Sequence, residues 1–206
     1  VRWQGEGSLQ RADGSHLPVL VSVTCLIREE SENYYVILFS DITKLKAAEK
    51  GLEKLALYDS LTGLPNHNLF KKRLGEAMGK DSLIITALMF IDLDHYKNIN
   101  DIYGHAVAAQ LLQQAADLFQ THVQAKDTVA RIGGGKFAII LRERRSREQI
   151  KRVAQRILCM LNKPYDLDPL QCFSSANIGI VLIDNNCADI DALTRHAEQA
   201  MYQAKK

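Results

Sequence analysis

The chain has 206 residues, 47% of them hydrophobic and 24% charged, with a formal net charge of +2 at pH 7. That length holds one substantial core plus a small appendage, and so mild a charge does not imply a polyanion partner, so no nucleic-acid partner is expected. No apolar run is long enough to span a bilayer and the first residues carry no signal-like pattern, so a cytoplasmic domain is expected, whether or not its parent protein is membrane-anchored. Cys25, Cys159, Cys172 and Cys187 have no Cys-x-x-Cys spacing and mostly lie among apolar residues, which predicts reduced packing cysteines. The six histidines show no zinc-ligand spacing.

In chain order, Arg2 to Gln10, His16 to Ile27 and Tyr34 to Ser40 read as three strands. They are joined by a turn at Ala12-Asp13-Gly14-Ser15 and a polar turn over Arg28 to Asn33. Three strands alone are marginal unless another surface covers their apolar face. Leu45, Ala48, Leu52 and Leu55 follow at alternating three- and four-residue spacing. This suits either a short two-helix seam, weakened by Gly51, or one amphipathic connector packed on its own domain. The apolar run from Leu83 to Ile91 fits a strand covered on both faces, with Asp92 and Asp94 at its C-terminal end. Residues two apart on a strand point to one side, which suits joint coordination of Mg²⁺, although a lone Asp-x-Asp more often caps the turn or helix that follows.

Leu111, Leu112, Ala115, Leu118, Phe119 and His122 recur at helical spacing, as do Ile150, Val153, Ala154, Ile157, Leu158 and Leu161. A third helix is expected to bury Leu193, Ala197, Ala200, Met201 and Ala204. Between these, Val129 to Ile132 and Phe137 to Leu141 read as strands flanking Gly133-Gly134-Gly135, and a structural hairpin is the better reading of that turn taken alone. The charge run Arg142-Glu143-Arg144-Arg145-Ser146-Arg147 marks a solvated loop and a helix start, and Cys172 to Ile183 reads as one further strand. Strands and helices thus alternate in βαβ style.

Five segments in this order resemble the GGDEF family, the diguanylate cyclase domain of bacterial signalling, from about Leu55 onward. They are Asp59-Ser60-Leu61-Thr62-Gly63-Leu64-Pro65-Asn66, Phe90 to His105, Ala130 to Phe137, Ala176-Asn177-Ile178-Gly179-Ile180, and Ala197 to Lys205. The resemblance implies an α/β (α+β) fold with a palm-like βαββαβ core and a mainly antiparallel central sheet over residues 58–206, after a helical linker over 44–57. With Asp41-Ile42-Thr43, residues 1–43 are similar to the last three strands of a PAS sensor domain. Only the C-terminal part of such a fold is present, so any sensor cofactor is not expected to be retained.

GGDEF domains build cyclic di-GMP from two GTP molecules held by facing protomers, so the resemblance implies a homodimer and, in an active member, Mg²⁺. It assigns metal binding to Asp92, the Leu93 carbonyl and an acid at position 135, with Asp94 beside them. Here that acid is Gly135, and the Glu expected next is Lys136. The resemblance assigns guanine to Asn100 and to an Asp closing a Gly-His-x-x-Gly-Asp motif, but this chain reads Gly104-His105-Ala106-Val107-Ala108-Ala109, and Ala109 accepts no hydrogen bond. Lys97 and Lys205 match positions that meet phosphates. An inhibitory product site, Arg-x-x-Asp, stands here as Gln124 and Asp127, without the guanidinium fork. The expectation is a catalytically impaired GGDEF domain with no bound cofactor and weak GTP binding at most. It would act in regulation and dimerisation, with a phosphodiesterase domain downstream in the same polypeptide. The alternatives are residual cyclase activity or GTP sensing. The Lys136 ammonium is expected to face Asp92 and Asp94 in a cation's place.

Overall fold

The structure, a computed structural model, describes residues 2–28, 31–78, 85–142, 146–167, 170–183 and 189–205. It divides into two compact units, Val1–Leu55 and Ala56–Lys206. In the first, β1 (Arg2–Gln10) pairs antiparallel with β2 (His16–Arg28), and β2 with β3 (Ser31–Asp41). The third strand begins inside the turn expected over Arg28 to Asn33, of which residues 29–30 lie outside the described set. Val19 is buried, while Trp3, Tyr35, Leu38 and Phe39 are exposed. The Asp41 carboxylate accepts a hydrogen bond from the Thr43 N–H at the start of α1 (Thr43–Leu57), which runs unbroken through Gly51. This helix buries none of its residues, and Leu45, Leu52 and Leu55 are more than half exposed.

The second unit contains α2 (His67–Ala77), β4 (Ile85–Leu93), α3 (Tyr96–His122), β5 (Thr128–Gly133), β6 (Lys136–Arg142), α4 (Arg147–Leu161), β7 (Tyr165–Leu167), β8 (Leu170–Cys172), β9 (Ala176–Leu182) and α5 (Ile190–Ala204). It is a mixed α+β fold around a four-stranded sheet in the order β5-β6-β4-β9, each neighbouring pair antiparallel. Alternation along β4 sends Met89 and Ile91 into one core with Leu111 and Phe119 of α3 and Ile157 of α4. Leu88 and Phe90 enter a second core with Phe70 of α2 and Ala197 and Met201 of α5. Aromatic pairs mark both layers: Phe119 meets Phe137 edge-on at 4.9 Å, and Phe70 meets Phe90 at 5.8 Å. The β4 strand is therefore wholly buried over Ala87 to Ile91, as its unbroken apolar run requires, although Leu83 lies outside the described residues.

Two sequence expectations change, and one helix was not anticipated. That helix is α2, although its buried Phe70, Leu74 and Ala77 recur at helical spacing. Its start is fixed by Asn66, whose side chain accepts from the Asn68 and Leu69 N–H groups. Cys172 to Ile183 is not one strand: Cys172 ends β8, which pairs with β7, and the chain crosses through residues 173–175 before joining β4 as β9. The break has a long-range cause, because Ser174 and Ser175 turn their hydroxyls onto Asp94. Finally, Cys159 is exposed rather than packed; Cys25 and Cys172 are partly buried free thiols, and Cys187 is outside the described residues. The charge run ends as expected in a helix start, Ser146 and Gln149 forming a capping box on α4, while its residues 143–145 lie outside the described set.

Helix α5 lies directly on β9 at Gly179, where a Cβ would collide with the backbone oxygen of Ala197 and the backbone nitrogen of Met201. Backbone cannot yield as a flexible side chain does. Gly179→Ala is expected to cost about 3 kcal/mol, read as a lowered urea midpoint with unchanged m-value.

Candidate functional site

Because β4 is paired on both edges, its C-terminal end lies where β6 and β9 converge. Asp92 stands opposite Lys136 on one side and Asn177 on the other, and the Leu93 N–H donates to the Gly135 carbonyl at 3.0 Å. The glycine turn is anchored from its own strand. Arg131 donates from Nε and Nη2 to the Gly134 carbonyl at 3.3 and 3.1 Å, and its Nη1 reaches both carboxylate oxygens of Asp59 at 3.1 and 2.9 Å. Asp59 also accepts from the backbone N–H and hydroxyl of Thr62, so the segment Asp59 to Thr62 and the hairpin are one clamp. Burial alone would push the Asp59 carboxyl up, but the Thr62 donors and the Arg131 guanidinium outweigh it and hold it below the usual carboxylate range.

A cavity of about 430 Å³ opens between this turn, the end of β4 and the start of α3, with Lys97, Lys136 and Lys205 among its walls. At the end of α5, Lys205 places its Nζ 2.7 Å from Asp92 Oδ2 and 3.9 Å from Asp94 Oδ1. Its hydrogen bond to Asp92 drives the ammonium above the ordinary lysine range. The cation against these carboxylates is therefore Lys205, not Lys136 as expected. Lys136 and Lys97 are exposed and, among the described residues, have no carboxylate partner. Asp94 is bound from the β9 side: Ser175 Oγ donates to it at 2.6 Å and Asn177 Nδ2 at 2.7 Å.

A divalent metal such as Mg²⁺ takes about six oxygens in near-octahedral array. Asp92 offers a carboxylate already bonded to an ammonium, both oxygens of Asp94 are engaged, and position 135 supplies no side chain. Tyr96 packs where that side chain would begin, since a Cβ on Gly135 would lie 2.9 Å from Tyr96 Cβ and 3.0 Å from its Cγ. No three His, Cys, Asp or Glu side chains among the described residues are grouped to hold an ion. This donor set does not fit the metal that the sequence resemblance implies.

The family profile described as "Diguanylate cyclase, GGDEF domain" matches residues 56–206. The chain belongs to the GGDEF family. Among curated relatives, it is 32% identical over 177 residues to the cyclic di-GMP phosphodiesterase PdeR of Escherichia coli, covering 86% of this chain and 27% of that protein. It is 36% identical over 166 residues to the bifunctional diguanylate cyclase/cyclic di-GMP phosphodiesterase MucR of Pseudomonas aeruginosa, covering 79% and 24%. The chain thus spans about a quarter of the length of these relatives. Among solved structures, the isolated GGDEF domain of TpbB from P. aeruginosa superposes with a TM-score of 0.67 at 36% identity, over 72% of this chain and 88% of that one.

Other family positions in this GGDEF domain are not brought to the cavity. Asn100, His105 and Ala109 lie along α3, which kinks at Gly104 (φ 83°, ψ 172°), and none of the three is on the cavity wall. Asn100 Oδ1 is buried with no hydrogen-bond partner among the described residues. Asp127 serves the fold, accepting from the Gln124 and Arg142 N–H groups at 2.8 and 2.9 Å. Sequence spacing missed its surroundings: Arg73 of α2 and Arg142 of β6, far apart in the chain, line a second cavity beside Asp127 and Lys126. Sequence reasoning also missed Tyr96, Ser175 and Asn177. A polar residue such as Asn177 at the start of an otherwise apolar strand was the one available signal.

The low-lying Asp59 carboxyl contributes stability above its unfolded value of 3.8 and loses it as pH falls through the lower folded value. Asp59→Asn should therefore be markedly less stable than the parent at pH 7, and the gap in urea midpoint should narrow below about pH 4. At the turn, Gly135→Ala should lower stability by about 1–2 kcal/mol through crowding against Tyr96, a loss of several degrees in Tm.

Proposed function

We propose that this GGDEF domain is a cytoplasmic cyclic di-GMP signalling module that does not synthesise the product and acts as a regulatory and dimerising domain. One observation carries the reading: Lys205 is hydrogen-bonded to Asp92, with Gly135 and Lys136 in the turn facing it. Cyclase chemistry needs divalent metal to orient the triphosphate and absorb charge developing at the α-phosphate, and these residues are not arranged to hold one. The guanine side is weak too, because Ala109 offers no acceptor. Residues 1–43 are read as the C-terminal part of a PAS-like sensor, and the exposed leucines of α1 as the seam of a homodimer. Relatives named as phosphodiesterases support a partnership with such a domain in the parent polypeptide. A second reading, GTP sensing without turnover, is favoured by Lys97 and Lys136 at the cavity, which have no carboxylate partner among the described residues.

Incubating the chain with GTP and Mg²⁺ and measuring cyclic di-GMP is the direct test, with no product above background expected. Appreciable formation would overturn the reading. Restoring both turn acids with Gly135→Asp and Lys136→Glu should still give little product, since Tyr96 crowds the first and Ala109 holds guanine poorly. Adding Ala109→Asp should then raise activity more than it does in the unmodified chain, as expected of groups acting as a unit.

A further inference from the structure

We propose that the cavity beside Asp92 binds an oligophosphate chain free of divalent metal, with Lys205 as the fixed cation at Asp92, so that magnesium weakens binding instead of enabling it. The inference rests on the reading of this domain as one that does not synthesise cyclic di-GMP. Its ground is the mismatch between the donor set and a metal ion. The Lys205 ammonium, 2.7 Å from Asp92 and 3.9 Å from Asp94, already offsets one of the two negative charges there, and Ser175 and Asn177 each donate to an oxygen of Asp94. The groups left facing the cavity are cationic: Lys97 at the start of α3 and Lys136 at the start of β6, both exposed and without a carboxylate partner among the described residues. They stand on two different elements, α3 and β6, so an extended anion can meet a cation from each. His95 opens α3 in the left-handed region with no side-chain cap, so the first-turn N–H groups beside Lys97 have no side-chain acceptor there. The cavity, about 430 Å³, has room for a triphosphate. A free triphosphate carries more negative charge than its magnesium complex, and attraction to fixed lysines falls with that charge.

Calorimetric titration of the full 206-residue chain with inorganic tripolyphosphate and with GTP, each in EDTA and in excess Mg²⁺, tests this. Both ligands should bind in EDTA, with excess Mg²⁺ weakening each about tenfold. Lys136→Glu, at an exposed position and checked for folding by circular dichroism, should weaken binding in EDTA by about as much, because an attraction becomes a repulsion. Binding only when Mg²⁺ is present, binding of GTP but not of tripolyphosphate, no binding of either, or indifference to Lys136→Glu would each overturn the inference. Cyclic di-GMP in the same samples would instead overturn the reading of the domain as non-synthesising, so the two failures are distinguishable.

Discussion

The pairing of β4 along both edges governs the cyclase-like unit. Hydrogen-bonded to β6 on one side and β9 on the other, and covered above and below by helices, this strand cannot shift register without moving every side chain to the wrong core. Its fixity positions everything at its C-terminal end. Asp92 is held opposite Lys136 and Asn177, the Leu93 N–H closes onto the glycine turn, and Asp94 draws the start of β9 inward through two serines. The strand is an apolar ruler, and the polar residues at its tip inherit its precision.

Two ion pairs near that tip do different things. Arg131 and Asp59 are largely buried, at 13% and 20% side-chain exposure, and both are saturated with further hydrogen bonds. Breaking such a pair strands a charge, so its role is to weld the entrance segment to the hairpin. Lys205 and Asp92 form a more open pair, the lysine side chain being 45% exposed. A pair that open adds little to stability. Its effect is local: the ammonium lies against Asp92 and donates to one of its carboxylate oxygens.

A glycine and a lysine at the turn are compatible with a well-packed fold. The filled cores include Leu93 and Phe137 beside the site but not Gly135 or Lys136, so glycine and lysine at the turn leave those cores filled. What changes is the sign of the local field. A cavity with three lysines and two engaged carboxylates carries an excess of positive charge, which favours anions.

Much of this was legible in the residues themselves. The unbroken apolar runs of β4 and β6, the helical spacing of α3, α4 and α5, the hairpin at the glycines and the order of the family motifs are local patterns, and local geometry reads them directly. The replacement of acids by Gly135 and Lys136 is likewise written in the sequence. The break at residues 173–175 was not, because its cause is a set of hydrogen bonds to Asp94, some eighty positions earlier in the chain. Helix α2 went unread although Phe70, Leu74 and Ala77 keep helical spacing, because basic residues and a glycine interrupt them and the start rests on the Asn66 cap. Which lysine meets Asp92 was decided by tertiary structure alone: α5 crosses β9 at Gly179 and delivers Lys205 from 113 residues away, while Lys136, directly opposite in the sheet, is left exposed. Sequence fixes which charges exist, and the path of the packed helices decides which of them touch.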